Sequence, residues 1–312
     1  MRALELPRGL GSSIGSLPHT DPREAATLVL ERQPRLPAAP SLPNRSGLEG
    51  MLAQAAWGID GVLLQPDGSL RVDDPMALDP RDPLSVTGID GEPFVALRAF
   101  LGAVAGRQGP IKLQLTGPIT LGLALNAVGV PTERAFAVAG AAVRARARSL
   151  VAAAQEIAPD APLVVFVDEP GLVGAMHPGF PLHPNRTIDL VSSALATLEP
   201  HAMTGLHCCG SADWRVALQA GPQILSLPID HGAVDHAGAI GSFLERGGWV
   251  AWGAVPTTGP LGTREERLWQ ALSAEWAGLT AGGCDLVLLR DHAMITRPAA
   301  WPVTARRRPS SS

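Results

Sequence analysis

Four short runs carry most of the residues in this sequence that could do chemistry, and each follows a stretch of apolar residues. Ile14-Gly15-Ser16 has His19 close behind it, and Thr116-Gly117-Pro118 follows Ile111-Lys112-Leu113-Gln114-Leu115. Asp168-Glu169-Pro170 follows Leu163-Val164-Val165-Phe166-Val167, and His207-Cys208-Cys209-Gly210 follows Met203-Thr204-Gly205-Leu206. Alternate residues leaving a strand point the same way, so His207 and Cys209 can converge on one ion while Cys208 faces elsewhere. That makes a two-ligand arm for zinc; a small buried cysteine and a histidine bonded to backbone would give the same pattern. Asp168 can reach into a site and hold an ammonium by a charge-assisted hydrogen bond. Either acid of the Asp-Glu pair can instead cap a helix or pair with an arginine. A glycine at 15 lets the main chain approach a ligand, so Ile14, Gly15 and Ser16 are candidates to offer N–H groups to a carboxylate; a plain turn is the other reading of Gly-Ser.

These runs need a scaffold that brings strand ends together, and the rest of the chain describes one. Thr20-Asp21-Pro22-Arg23-Glu24 combines a helix cap, a proline at the first helical position and an acid two residues later. Residues 46–57 read as helical, and two apolar runs between Val62 and Val72 flank Pro66-Asp67-Gly68, the signature of a projecting hairpin. From residue 92 onward helices are expected at 93–106, 132–157, 186–198, 212–220, 235–246 and 263–278. Strands are expected at 111–115, 163–167, 203–206, 224–227, 249–253 and 292–296. Such alternation implies parallel strands joined by helical crossovers. So many units favour a closed barrel, which has no edge to protect, over an open doubly wound sheet. No Gly-x-Gly-x-x-Gly follows the first strand, which argues against dinucleotide binding. The expectation is a single α/β domain, a (β/α)8 barrel over residues 1–304 with a small hairpin insertion, and a disordered tail at 305–312. A second barrel strand would have to pass through Leu-Pro-Ala-Ala-Pro-Ser-Leu-Pro at 36–43, which is proline-rich for a central strand. Trp269 and Trp276 share a helix face and suit core packing or a subunit contact. The helix around Arg144, Arg146 and Arg148 reads as an outer helix with a solvated side.

Composition narrows the partners. The chain has 312 residues, 46% of them hydrophobic, enough for a large core. With 25 basic against 29 acidic residues the net charge of −4 provides no general field for nucleic acid or anionic lipid. No leader-like or membrane-spanning apolar run stands out, so a cytoplasmic protein is expected. Three cysteines, two of them adjacent, cannot build a disulfide framework and suit thiol chemistry or metal ligation.

Taken together and in order, the four runs resemble the catalytic half of cobalamin-independent methionine synthase, within the barrel superfamily that also holds uroporphyrinogen decarboxylase. Ile14-Gly15-Ser16-Leu17-Pro18-His19-Thr20 is similar to that family's opening Ile-Gly-Ser-Phe-Pro-Gln-Thr, and Leu115-Thr116-Gly117-Pro118-Ile119-Thr120 to its Leu-Thr-Gly-Pro-Val-Thr. Asp168-Glu169-Pro170 and His207-Cys208-Cys209 fall where the family has Asp-Glu-Pro and His-x-Cys. The resemblance implies a methyltransferase in which His207 and Cys209 are zinc ligands and the metal activates a small thiol such as homocysteine, giving methionine. It implies that Ile14 to Ser16 hold the amino-acid carboxylate and that Asp168 holds its amine. Two departures stand beside it. Where the family has Pro-x-Cys-Gly on its last strand, this chain reads Ile295-Thr296-Arg297-Pro298-Ala299-Ala300-Trp301, and Pro228 stands near the place of a carboxylate ligand. Cys284, Asp230 or His231 would have to complete a zinc site. The chain also has only the second of the family's two barrels, which leaves folate or a corrinoid as the methyl donor, with a separate corrinoid protein as the expected partner. Two other functions are compatible with such a barrel: a uroporphyrinogen-decarboxylase-like lyase, and a ligand-binding barrel without catalysis.

Overall fold

The structure, a computed structural model, describes residues 4–255 and 265–296. The chain opens with a short strand, β1 (Leu10–Gly11), and a helix, α1 (Pro22–Arg32). Asp21 caps α1 as its sequence predicts: the carboxylate accepts from the N–H groups of Arg23 and Glu24, and Pro22 sits where its missing N–H costs nothing. After α2 (Met51–Ala56), β2 (Val62–Leu64) and β3 (Leu70–Val72) form the expected antiparallel hairpin, with Asp67 accepting from the backbone and hydroxyl of Ser69 in its turn. Then follow α3 (Val95–Ala103), β4 (Ile111–Thr116), α4 (Pro118–Ala127), α5 (Thr132–Ile157), β5 (Leu163–Asp168), α6 (Pro184–Leu198) and β6 (Ala202–His207). The chain continues through α7 (Trp214–Gln219), β7 (Ile224–Pro228), α8 (Ala237–Glu245), β8 (Trp249–Gly253), α9 (Glu265–Ala281), α10 (Leu286–Asp291) and β9 (Ala293–Thr296). Among the described residues no helix is long and apolar enough to cross a membrane.

Seven strands form one curled, wholly parallel sheet in the order β1-β9-β8-β7-β6-β5-β4. The expected eighth strand is not a strand of the ladder. Residues 37–41 occupy its place through single parallel bridges, Ala38 to Lys112 on β4 and Ser41 to Ser16 beyond β1. The physical reason is proline: Pro37, Pro40 and Pro43 have no N–H to give. What remains of the ladder there is Lys112 N–H to the Pro37 carbonyl, Ala39 N–H to Lys112, Leu17 N–H to Ser41 and Ser41 N–H to Gly15.

Alternation along the strands sorts side chains into two cores. Leu113, Leu115, Val165, Val167, Leu206 and Leu225 face the helices, and Leu10, Leu36, Val164, Phe166, Ile224 and Met294 form a separate plug inside the curl of the sheet. Gly205 is part of that packing, because a Cβ there would lie 2.3 Å from the Phe166 ring. One row of paired residues runs Thr116, Asp168, His207, Ser226, Ala251, Met294, Leu10. It begins with polar residues at the ends of β4 to β6 and finishes in the apolar plug, the stagger expected of tilted strands. That stagger places four polar residues from neighbouring strands side by side above the plug.

Of the three arginines expected on the solvated side of α5, Arg148 is exposed and Arg144 half-buried, whereas Arg146 departs from the expectation. Arg146 is 4% exposed, its guanidinium lies 5.0 Å from the centroid of the Phe94 ring, and it donates to the carbonyls of Trp57, Val86, Thr87 and Gly88. It pins the loops on either side of the hairpin, a role the planar, multiply donating guanidinium suits better than an ammonium. Trp269 and Trp276 do share a face of α9, edge to face at 5.8 Å, with Trp276 buried and Trp269 exposed.

Candidate active site

Asp168 and Glu169 are adjacent in sequence and turn to opposite sides of the sheet, which decides between the roles open to each. Glu169 is fully buried in the helical layer, where it accepts from Ile119 N–H, Thr120 N–H and the Thr120 hydroxyl, 2.6–2.8 Å away, at the first turn of α4. Burial pushes its pKa up to about 7, against the pull of those donors. It is the helix-capping acid of the pair, although the helix it caps precedes it in the chain.

Asp168 faces the inside, level with Thr116 and His207, and its Oδ1 is buried with no partner among the described residues. Burial raises its pKa and the charge of Lys112 lowers it; Lys112 in turn is lowered by burial and raised by Asp168. Lys112 is the unanticipated member of the site. It is wholly buried, its Nζ stands 4.4 Å from the centre of the Phe166 ring, and it donates to the Ile14 carbonyl at 3.3 Å and to Gln114 Oε1 at 3.2 Å. The Gln114 amide passes the connection on to the Ala39 carbonyl at 2.7 Å.

His207 is 2% exposed, with Nδ1 3.0 Å from the Ser226 hydroxyl and Nε2 buried without a partner among the described residues. Burial, reinforced by the positive charge of Lys112, pushes its pKa down to about 3, so the ring is neutral at physiological pH. The two cysteines part as the period of two requires. Cys208 is buried in the helical layer, its thiol pushed up to about 12 by burial. Cys209 is half-buried on the wall of a cleft of about 450 Å³ that it shares with Leu52, Thr120, Leu123, Pro170 and Val173. Its thiol is also pushed up, by burial first and by the charge of Asp168 as well.

The Ile14–Ser16 segment lies at the same end. Gly15 has φ of +127°, and a Cβ there would stand 2.3 Å from Gln114 Nε2 and 3.0 Å from the Ala39 carbonyl, so both conformation and space require glycine. Its carbonyls are used, Ile14 by Lys112 and Gly15 by Ser41, whereas the N–H groups of Ile14, Gly15 and Ser16 have no acceptor among the described residues. His19 Nδ1 is likewise buried and unpartnered among them.

The remaining zinc-ligand candidates lie elsewhere. Cys284 is buried and donates to the Ala237 carbonyl on α8. Asp230, with φ of +61°, and His231 turn toward Glu275 on α9: Asp230 N–H donates to Glu275, and His231 Nδ1 sits 2.8 Å from the Ile229 carbonyl. Among the described residues no three His, Cys, Asp or Glu side chains are grouped to hold a metal, and the other residues of the chain, Ala300 and the expected tail included, contain none of these types. A catalytic zinc with an open position takes three protein ligands. The donor set here is one short.

The polar interior was written in the alternation of β4. Lys112, Gln114 and Thr116 alternate with Ile111, Leu113 and Leu115, and Ser226 stands between Leu225 and Leu227. In a sheet whose outer face packs helices, the polar half of such an alternation must face the inside.

No family model and no curated protein matches the chain. Among solved structures it is similar to a B12-independent methionine synthase from Shewanella sp. W3-18-1 in complex with selenomethionine. The TM-score is 0.60 over 94% of this chain and 91% of that one, with 15% sequence identity. At that identity the likeness establishes a methionine-synthase-like fold.

Proposed function

We propose that this chain is a methyltransferase that moves a methyl group to a small amino-acid thiol, with homocysteine giving methionine as the best-supported case. The observation that carries the proposal is the placement of two buried polar atoms, Asp168 Oδ1 and His207 Nε2, on adjacent strand ends beside a loop of N–H groups, all without partners among the described residues. Buried polar atoms without partners are rare and ask for a ligand. An ammonium satisfies Asp168, and a carboxylate satisfies the N–H groups of Ile14 to Ser16. The sulfur is then directed toward His207 and Cys209. The likeness of fold to a methionine synthase agrees with this reading. A methyl donor would have to enter at the same end, where the cleft beside Cys209 opens, and a separate corrinoid protein is the proposed carrier.

In the tautomer whose Nδ1–H is given to the Ser226 hydroxyl 3.0 Å away, His207 offers Nε2 as an acceptor that orients the thiol hydrogen. A ring with a pKa near 3 is too weak a base to take that proton, so activation of the thiol needs a further group. A metal on His207 and Cys209 would need the substrate's own sulfur as its third donor. The short donor set favours a second reading as well, a barrel that binds an amino-acid thioether without catalysis. Calorimetry with methionine and homocysteine tests the shared part: Asp168→Asn should weaken both by about 100-fold, in line with loss of a buried charged hydrogen bond. No binding by the wild type would overturn both readings. Zinc analysis with and without homocysteine, beside Cys209→Ser, separates them: one zinc per chain that depends on the thiol and on Cys209 supports the transferase.

A further inference from the structure

The amino-acid reading assigns roles to Asp168, His207 and the Ile14–Ser16 loop and leaves the fully buried Lys112 without one. A lysine is almost never buried completely unless something compensates its charge. Here the compensation comes from two sides. Its Nζ donates to the Ile14 carbonyl, part of the loop proposed to receive a carboxylate, and its charge acts on Asp168, the group proposed to receive an ammonium. The ring of Phe166, two residues before Asp168 on the same face of β5, lies 4.4 Å beneath Nζ. Lys112 therefore stands at the junction of the two anchors and touches one of them directly.

We propose that Lys112 is a specificity-determining positioning residue, and that its ammonium selects a zwitterionic amino acid over the corresponding amine. The inference rests on the amino-acid reading of this site and goes beyond it. Without ligand, Lys112 and Asp168 sum to no net charge, whether the proton sits on one or the other. An amine ligand adds one uncompensated positive charge beside Lys112, inside a site closed to water on the Lys112 side. A zwitterion adds no net charge: its ammonium meets Asp168, and its carboxylate meets loop N–H groups held in place by the Lys112 bond to Ile14. Removing the lysine charge reverses this balance. Asp168 then loses the neighbour that favours its ionised form, so it ionises only as an ammonium arrives, and an amine neutralises it better than a zwitterion does. Two charges about 5 Å apart at an effective dielectric near 20 interact strongly enough to change affinity on the order of 100-fold.

The test compares methionine with 3-(methylthio)propylamine, its decarboxylated analogue, by calorimetry on the wild type, Lys112→Met and Lys112→Gln. Methionine retains an aliphatic stem over Phe166, and glutamine retains an N–H donor without the charge, so the comparison stands if either variant folds. The wild type should favour methionine by about 100-fold, and both variants should bring that ratio below about 10-fold, partly through tighter binding of the amine. A wild type that binds the two ligands equally overturns the inference without any variant. A variant that loses affinity for both by the same factor also overturns it, reducing Lys112 to a structural tether while the amino-acid reading stands. A wild type that binds neither ligand removes the amino-acid reading and this inference together.

Discussion

Replacing Glu169 with glutamine separates two forces that act on one carboxyl group. Burial raises its pKa, while three donors at the start of α4 and the Thr120 hydroxyl among them stabilise the ionised form; burial is the larger effect and the result is about 7, against an ordinary 4.5. The folded protein then keeps a proton that the unfolded chain has already released. The sign follows: the contribution of Glu169 to stability is complete below about pH 4.5 and is lost as the pH rises through 7. The gap is equivalent to about 3 kcal/mol. Glutamine does not titrate and resembles the neutral acid, so at low pH the variant should be only about 1–2 kcal/mol less stable, from the poorer fit of an NH2 group against N–H donors. Urea unfolding of both proteins in steps from pH 4.5 to 8 reads the difference directly. The variant should gain on the wild type by about 3 kcal/mol across that range. A difference that does not change with pH would refute the reasoning, because it would mean that the helix end and Thr120 hold the carboxylate ionised throughout.

Three further outcomes follow from the same geometry. Gly15→Ala should cost about 2–4 kcal/mol in thermal or urea unfolding, because it combines a left-sided φ with a Cβ 2.3 Å from the Gln114 amide, and it should weaken methionine binding by displacing the loop. His207 is neutral in the fold and protonated in the unfolded chain below its ordinary value of 6.5, so the wild type should lose about 3 kcal/mol relative to His207→Leu between pH 6.5 and 4; parallel pH profiles would contradict this. Arg146→Met should cost about 3–5 kcal/mol, since it leaves the carbonyls of Trp57, Val86, Thr87 and Gly88 without their donor; a cost under about 1 kcal/mol would show that water replaces the guanidinium.

Where a segment's own pattern matches its final environment, the sequence was a sufficient guide. The expected helix at 132–157 is α5 to the residue, and the strands expected to end at 167 and 206 run one residue further, to Asp168 and His207. The split of His207 inward and Cys208 outward likewise follows from a period of two. The failures have local causes. Helix α4 went unseen because Pro118 opens it and its residues are apolar on nearly every side, so it shows no helical period. The eighth strand is reduced to single bridges by the three prolines that already mark residues 36–43 in the sequence as poor material for a central strand. Arg146 looks like a surface cation in sequence, and nothing local says that carbonyls and an aromatic ring await it; the alternation of β4 turns Lys112 inward but does not name the carbonyl and the ring it meets there. The shortage of zinc ligands, by contrast, was already visible in Ala300 and Pro228, and the positions of Cys284, Asp230 and His231 do not relieve it.

The most direct test of the proposed activity is transfer of a labelled methyl group. The protein, supplied with zinc, homocysteine and methylcobalamin carrying a 13C-methyl group, should form labelled methionine detectable by mass spectrometry, and Asp168→Asn should form it at least about 100-fold more slowly. Absence of labelled methionine from the wild type, with methylcobalamin and with methyltetrahydrofolate alike, while methionine still binds in calorimetry, would contradict the methyltransferase and leave an amino-acid-binding barrel.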